Sequence, residues 1–303
     1  MNIGDVVNNH IILERLGGGA YGDVFKVQNT LNHDVLALKV AKNNGVATDL
    51  ARFELENEIL RNLSPHRNIL GALSKIGNHA DDKKYYLMEL ADIDLINYIN
   101  SRPILSFGDS IRIFEGIING LGHAHSKNIF HRDLHFENVL MKIAEAKLTD
   151  FGRGKDFNSK NDFTSKEPCW GYFVKPPEID FNIWKNPTNK ECELGDIYAL
   201  GIILFFLFDS VPRIPILEMK SDIEKYIRQH ISTDPTHNEH KIMYEEWLLS
   251  PWAMRNPSLK LQLNDENETL AVNHLLDILT NVDFSKRVQS VTLLKDEIRN
   301  LNI

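Results

Sequence analysis

The stretch HRDLHFEN, residues 131–138, decides how the rest of the sequence is read. An aspartate and an asparagine five positions apart often do no more than stabilise a turn. Here Asp133 and Asn138 stand in the longer pattern His-Arg-Asp-Leu-x-x-x-Asn, which a turn alone does not require. In this pattern the aspartate accepts or orients the proton of an attacking hydroxyl, and the asparagine holds a divalent cation.

Working outward, LTDFGRG (148–154) places Asp150 12 residues beyond Asn138, a distance suited to two short strands joined by a turn. Magnesium ions on phosphates need hard oxygen donors, and Asp150 would be the main one. Upstream, LGGGAYGDVFKV (16–27) carries Gly17, Gly19 and Gly22 followed by Val24. Three glycines in this spacing also make ordinary tight turns. A glycine loop that opens a helix on a dinucleotide would have an acid about 20 residues on. Here a strand-like run follows, and Lys39 stands at that distance. A glycine loop joining two strands serves instead as a flap over ATP phosphates. Lys39 lies in VLALKV (35–40), flanked by apolar residues, where an inward cation can contact the α- and β-phosphates. That lysine needs an acid. Residues 48–63 have helical periodicity, with Leu50, Phe53, Leu60 and Leu63 on one face, and end at Ser64–Pro65. Among Glu54, Glu56 and Glu58, it is Glu56 that shares the core-facing side.

Composition bounds the answer. The 303 residues are 43% hydrophobic and 25% charged, ordinary for a globular chain long enough to bury a sizeable core. The net charge of −8 argues against nucleic acid or an anionic membrane as the main partner, so an anionic ligand must be held by local cations. Two cysteines, Cys169 and Cys192, make no disulfide framework, and no signal peptide is legible, which suggests a cytoplasmic location. The longest apolar run, 198–208, is about half of what a bilayer needs and reads as a buried helix.

Short β-branched runs at 11–16, 24–28, 35–41 and 85–90 predict strands in the first 90 residues. Amphipathic patterns at 111–125, 194–208, 223–230, 270–280 and 291–301 predict helices afterwards, the first capped near Ser106 or Asp109. Residues 210–268 are the least readable. The histidines at 123, 125, 131 and 135, and the pair His237 and His240 in a polar stretch, do not read as zinc sites. A β-rich front and an α-rich back predict two lobes with a cleft between them.

Taken in order, these motifs resemble the eukaryotic-type (Hanks-type) protein kinase family along nearly the whole chain. KPPEI (175–179) is similar to the segment-ending Ala-Pro-Glu, with Pro176 for alanine; GDIYALG (195–201) and VDFSKR (282–287) are similar to later family motifs. The resemblance implies an α+β, bilobal fold: one domain over 1–303, with a small antiparallel β-rich N-lobe at 1–88, a hinge at 89–91, a larger helical C-lobe at 92–303 and an activation segment at 150–178. It implies ATP with Mg²⁺ (or Mn²⁺) on Asn138 and Asp150, and Leu16, Gly17, Gly19, Gly22, Val24, Ala37, Lys39, Met88, Glu89, Ala91 and Leu140 around the nucleotide. Met88 would be the gatekeeper, while Val24, Ala37 and Leu140 would sandwich the purine. Lys39, Glu56, Arg132, Asp133 and His135 would be the catalytic set. Glu178 and Arg287 would form a buried ion pair, and Asp196 would tie the catalytic loop. Arg132 would pair with a phosphorylated loop residue, Thr164 and Ser165 being candidate sites of autophosphorylation.

The sequence departs from the family at two places. His135 replaces the lysine that serine/threonine kinases usually carry, and Phe136 the proline after it. Imidazole can supply a cation to the transferred phosphoryl only when protonated, and a histidine here also resembles the loop of small-molecule phosphotransferases. CWGYFVKPPE (169–178) blurs the glycine-threonine pair of the peptide platform. The expected function is a serine/threonine protein kinase without a nucleic-acid or membrane partner. A small-molecule kinase of the same fold and a pseudokinase scaffold are the alternatives.

Overall fold

The computed structural model describes residues 1–19, 21–42, 47–79, 83–102, 105–158, 174–184, 186–209, 213–230, 236–256 and 258–301, the side chains of 213–215 excepted. Thr164, Ser165 and Cys169 lie outside the described residues.

An antiparallel sheet forms the front of the chain from β1 (Val6–Val7), β2 (His10–Gly18), β3 (Gly22–Asn29), β4 (Val35–Ala41), β5 (Gly77–Asn78) and β6 (Lys84–Met88), in the order β1-β2-β3-β4-β6-β5. Alternation along β4 sorts its side chains onto two faces. Leu38 and Val40 join Val7, Ile12, Phe25, Val27, Tyr85 and Leu87 in one small core. Ala37 and Ala41 face the main core, and Lys39 lies between them on that same face. The register places Ala37 opposite Met88 and Lys39 opposite Tyr86. The predicted strand at 85–90 stops at Met88, because the Glu89 N–H leaves the ladder and donates to the Gly71 carbonyl (3.0 Å).

Helix α1 (Ala47–Leu63) crosses that inner face and buries Phe53, Glu56, Leu60 and Leu63, while Glu58 stays exposed. Glu54 pairs with Lys84 at the sheet edge. Each fully buried Leu or Phe contributes about 1.5–3 kcal/mol, so the apolar stripe outweighs the cost of carrying one carboxylate inward with a partner.

The rest of the chain is mainly helical. It begins with β7 (Ile93–Asp94), α2 (Leu95–Asn100), α3 (Phe107–Ser126), β8 (Ile129–Phe130), β9 (Val139–Lys142), β10 (Glu145–Leu148), β11 (Lys155–Asp156) and α4 (Pro177–Asp180). It continues with α5 (Asn189–Phe208), α6 (Arg213–His230), α7 (His237–Leu248), α8 (Pro251–Arg255), α9 (Glu266–Thr280) and α10 (Val291–Leu301). Ser106 caps α3, accepting from the Asp109 N–H. The β9–β10 hairpin is the predicted pair of short strands between Asn138 and Asp150.

Helix α5 is buried nearly all round and starts five residues before the predicted helix at 194–208, where Thr188 and Glu191 form a reciprocal capping box. Gly201 lets α9 approach: a Cβ there would stand 2.3 Å from Thr280 Cγ2 and 2.8 Å from Leu279 Cβ. The stretch that was least readable as sequence holds α6, α7 and α8, and His237 and His240 lie on α7 rather than in a loop. No described helix is long and apolar enough to cross a membrane.

Candidate active site

Between the sheet and the helical part lies a cavity of about 490 Å³. Leu16, Gly17, Gly19 and Val24 line one wall, Ala37, Lys39 and Met88 the back, and Glu89, Ala91, Leu140, Asn138 and Asp150 the rest. Leu90 of the expected hinge joins them, and Leu70 and Ile93 add apolar surface that sequence patterning did not single out, because they lie on irregular backbone or at a strand end. Gly22 is the exception among the expected lining residues. It sits against β4, where a Cβ would meet the Val40 carbonyl at 2.9 Å and Lys39 Cγ at 3.3 Å, so its role is close strand approach.

Lys39 and Glu56 meet across the sheet–helix interface, with Nζ at 2.7 and 2.6 Å from the two carboxylate oxygens. The ammonium also stands 3.9 Å from Asp150 Oδ1. Burial disfavours the Lys39 charge, yet Glu56 and Asp150 outweigh it and hold the ammonium above its usual range. Burial pushes the Glu56 carboxyl up to about 7, against the pull of Lys39. For Asp150, burial is likewise overcome by Lys39, and the carboxyl is held below its usual range.

Asp150 adopts left-handed backbone angles (φ 57°, ψ 62°) and opens a short 3₁₀ turn, Phe151–Arg153. The turn is anchored by Phe151, fully buried and 4.5 Å from the His131 ring. His131 is itself buried, which holds its imidazole below the usual range, and its Nε2 lies 3.0 Å from the Thr149 carbonyl. As a neutral ring it donates there.

Asp196 of α5 fixes the loop from below. Its carboxylate accepts the backbone N–H groups of His131 and Arg132, both at 2.8 Å, and lies 2.9 Å from His125 Nε2. Arg132 is buried with φ 61°, and the loop residues expected to pair with it are not among those described. Asn138 Nδ2 donates to the Asp133 carbonyl (2.9 Å) and lies 3.0 Å from His135 Nε2. Beside the Asp133 carboxylate stand Arg153 Nε, 3.6 Å from Oδ2, and His135 Nε2, 3.9 Å from it. Burial raises its carboxyl above the usual range, although His135 and then Arg153 oppose the shift.

His135, expected on the phosphate side, has its Nε2 between the Asn138 amide (3.0 Å) and Asp133 Oδ2 (3.9 Å). Sequence reading did not single out Arg153, which the structure sets beside Asp133.

At the entrance, Glu89 is held between Lys142 (3.1 Å) and Lys147 (3.3 Å). Burial would raise its carboxyl, but the two ammonium groups keep it below its usual range. Farther down, Arg287 binds Glu178 through two nitrogens (2.7 and 3.2 Å), with both side chains fully buried.

A family model described as the protein kinase domain matches residues 11–298. A probable serine/threonine-protein kinase, PknB, of Lactococcus lactis is 33% identical over 203 residues, covering 65% of this chain and 31% of that protein. A probable serine/threonine-protein kinase of Dictyostelium discoideum is 28% identical over 201 residues, 65% of this chain and 30% of that protein. The CTD kinase subunit alpha of Saccharomyces cerevisiae is 25% identical over 245 residues, 80% of this chain and 44% of that protein. The chain thus spans 30–44% of the length of these relatives. With the bilobal architecture and a match along nearly all its length, the chain belongs to the Hanks-type protein kinase domain family.

Proposed function

We propose that this chain transfers the γ-phosphoryl group of ATP to serine and threonine hydroxyls of protein substrates, itself included, with magnesium (or manganese) as the required cation. The observation that carries the reading is the Lys39–Glu56 pair set 3.9 Å from Asp150 on the wall of one apolar-lined cavity. Val24, Ala37 and Leu140 offer flat apolar surface to a purine, and Lys39 faces the phosphate end.

The donor set suits a hard cation. Asp150 is kept ionised, and Asn138 spends its amide nitrogen on Asp133 and His135, leaving Oδ1 as a neutral oxygen ligand. Among the described residues no cluster of three His, Cys, Asp or Glu side chains forms a cage. Phosphate and water would therefore complete the coordination, as magnesium prefers. Bound there, the ion neutralises charge on the phosphates.

The chain's own groups do the rest. Lys39 orients phosphate oxygens, and Glu56 orients Lys39. Asp133 accepts the hydrogen bond of the acceptor hydroxyl and directs its oxygen toward the phosphorus. Asp196 keeps that loop from shifting, since two backbone N–H groups end on one buried carboxylate.

Incubation of the purified chain with labelled ATP and Mg²⁺, beside Asp133→Asn, tests the proposal. Label on protein serines and threonines that is lost in the variant is the expected result. Equal labelling of both sinks the role of Asp133. Thermal stabilisation by ATP without any transfer indicates a nucleotide-binding scaffold, and transfer to metabolites alone indicates a small-molecule kinase.

A further inference from the structure

We propose that the trough between α6 and α8 is a docking site for an extended protein segment carrying an anionic side chain, carboxylate or phosphate, beside an apolar one. Binding in the trough does not depend on the phosphotransfer reading; only its use in presenting substrates rests on it.

Helix α6 has two faces. Ile216, Met219, Lys220 and Ile223 are buried, and Lys220 ties the helix inward, donating to the Lys175 carbonyl and pairing with Asp180 of α4. Leu217, Ser221 and Lys225, spaced by four, fall on the other side of the helix. There a hollow of about 440 Å³ lies between α6 and α8, walled by Tyr226 and Trp252 and bordered by Lys225 and Arg255. A second hollow of about 490 Å³ shares Asp222, Lys225 and Trp252 with the first and ends on Leu217 and Glu218. Two hollows on either side of one indole make a trough in which an extended chain can seat successive side chains.

The trough is built on fixed aromatic packing. Trp252 lies against Trp247, with ring centroids 6.2 Å apart and 23° between planes, and Trp247 is fully buried. Trp247 Nε1 donates to Asp222 Oδ2 (2.9 Å), which commits that carboxylate and joins α7 to the α6 wall. Tyr226 stacks on His230 at 4.0 Å, and His230 Nδ1 lies 2.8 Å from the Tyr226 carbonyl. Large rings already held in place lose little conformational freedom on contact, which is why they anchor protein recognition.

Two charges in the trough are unanswered. Lys225 of α6 and Arg255 of α8 reach one hollow from different helices, and neither makes an ion pair or hydrogen bond among the described residues. In a chain of net charge −8, two such cations on one concave surface favour an anion. Glu218 stands at the opposite end, so the occupant's anion belongs at the Arg255 end. Leu217, 42% exposed, offers apolar surface to the neighbouring side chain. A free inorganic anion would leave Leu217, Tyr226 and Trp252 uncovered, whereas a peptide segment covers them.

The place of the trough gives it a use. The inner face of α6 grips residues 175 and 180, at the end of the expected activation segment. A substrate seated on the outer face is thus held one helix away from that segment, which raises the effective concentration of its acceptor hydroxyl.

The probe is a fluorescein-labelled peptide with leucine and glutamate two positions apart in a glycine–serine background; phosphoserine and glutamine replace the glutamate in two companions. Fluorescence anisotropy with the whole chain should show the glutamate and phosphoserine peptides saturating at about 10–100 µM, and the glutamine peptide binding about tenfold more weakly. Lys225→Glu combined with Arg255→Glu, both on the surface, should weaken the two anionic peptides about tenfold and leave the glutamine peptide unchanged. Trp252→Ala should weaken all three. Fused through a flexible linker to a serine acceptor, the glutamate peptide should lower KM about tenfold at unchanged kcat. The charge-reversed variant should lose that advantage while turning over the unfused acceptor like wild type.

Equal binding of the glutamate and glutamine peptides overturns the assignment, as does anionic-peptide binding that survives the charge reversal. Failure of every peptide to saturate below about 1 mM overturns it too. Phosphatidylserine vesicles or inorganic phosphate binding where the peptides do not would give the trough to a membrane or a small anion instead, and equally overturn it. Peptide binding without any phosphoryl transfer would sink the kinase reading and leave the trough standing; transfer without peptide binding would sink the docking site alone.

Discussion

Lys39–Glu56 and Glu178–Arg287 are both buried ion pairs, one under the sheet and one in the helical part, and their surroundings differ. Around Glu178–Arg287 the neighbours are other protein groups. Arg287 Nε donates to the Asn281 carbonyl (2.7 Å), the Tyr244 hydroxyl donates to Glu178 Oε1 (2.9 Å), and the guanidinium lies over the Tyr198 ring. Around Lys39–Glu56 the second neighbour is Asp150, 3.9 Å from the ammonium, and Lys39 and Asp150 both line the open cavity. A closed pair holds two segments together. An open pair keeps a cation whose partner can be exchanged, and its value appears when a ligand arrives.

The strongest way to break this contrast is to remove one charge from each pair. Glu178→Ala should cost about 3–5 kcal/mol of stability, because it leaves a buried guanidinium uncompensated; urea unfolding measures it. A loss under about 1 kcal/mol would show that the lower pair is not closed in solution. Lys39→Met should lower kcat/KM about 100- to 1000-fold, equivalent to about 3–4 kcal/mol of transition-state stabilisation, while shifting stability by no more than about 1 kcal/mol. A large stability loss there would erase the distinction.

A subtler test uses pH. With Glu56 lifted to about 7, its carboxylate is gained as pH rises through neutrality, so kcat/KM should rise about tenfold between pH 6 and 8. Stability should run the other way. Between the ordinary carboxyl range and about 7, the native state binds a proton that the unfolded chain has already released, so this group's contribution to stability falls as pH rises. Urea midpoints across that window should fall in wild type and flatten in Glu56→Gln. The smallest effect concerns α5, which carries Tyr198 and Asp196. Thr188→Ala removes its capping box and should cost about 1 kcal/mol by the same unfolding assay, leaving KM for ATP unchanged.

Much of this architecture was legible because local chemistry and global position agree in it. Glu56 was separable from Glu54 and Glu58 by helical phase alone, and the structure buries it while leaving Glu58 exposed. Asp133, Asn138 and Asp150 sit on a loop and a hairpin whose lengths the motif spacing encodes. Only the second half of α6, at 223–230, was read as helix; its first half, α7 and α8 were obscured by proline, asparagine and charge, although Thr236 and Glu239 already spell a capping box. What distance in sequence could not reveal was the contact of Arg153 with Asp133, or of Asn138 with His135. Both depend on backbone turns, one of them with left-handed angles at Asp150 that no periodic pattern announces.

The anchoring of the 151–153 turn has a consequence for how such a molecule can be silenced. Asp150 and Arg153 flank a single buried phenyl ring, wedged between α1 and His131. Moving that ring out would withdraw an anion and a cation together, leaving the net charge of the cleft as it was. Lys39 and Glu56, carried by β4 and α1, would stay paired where they are, so the same displacement would take apart the proposed metal site while leaving the buried ammonium in place.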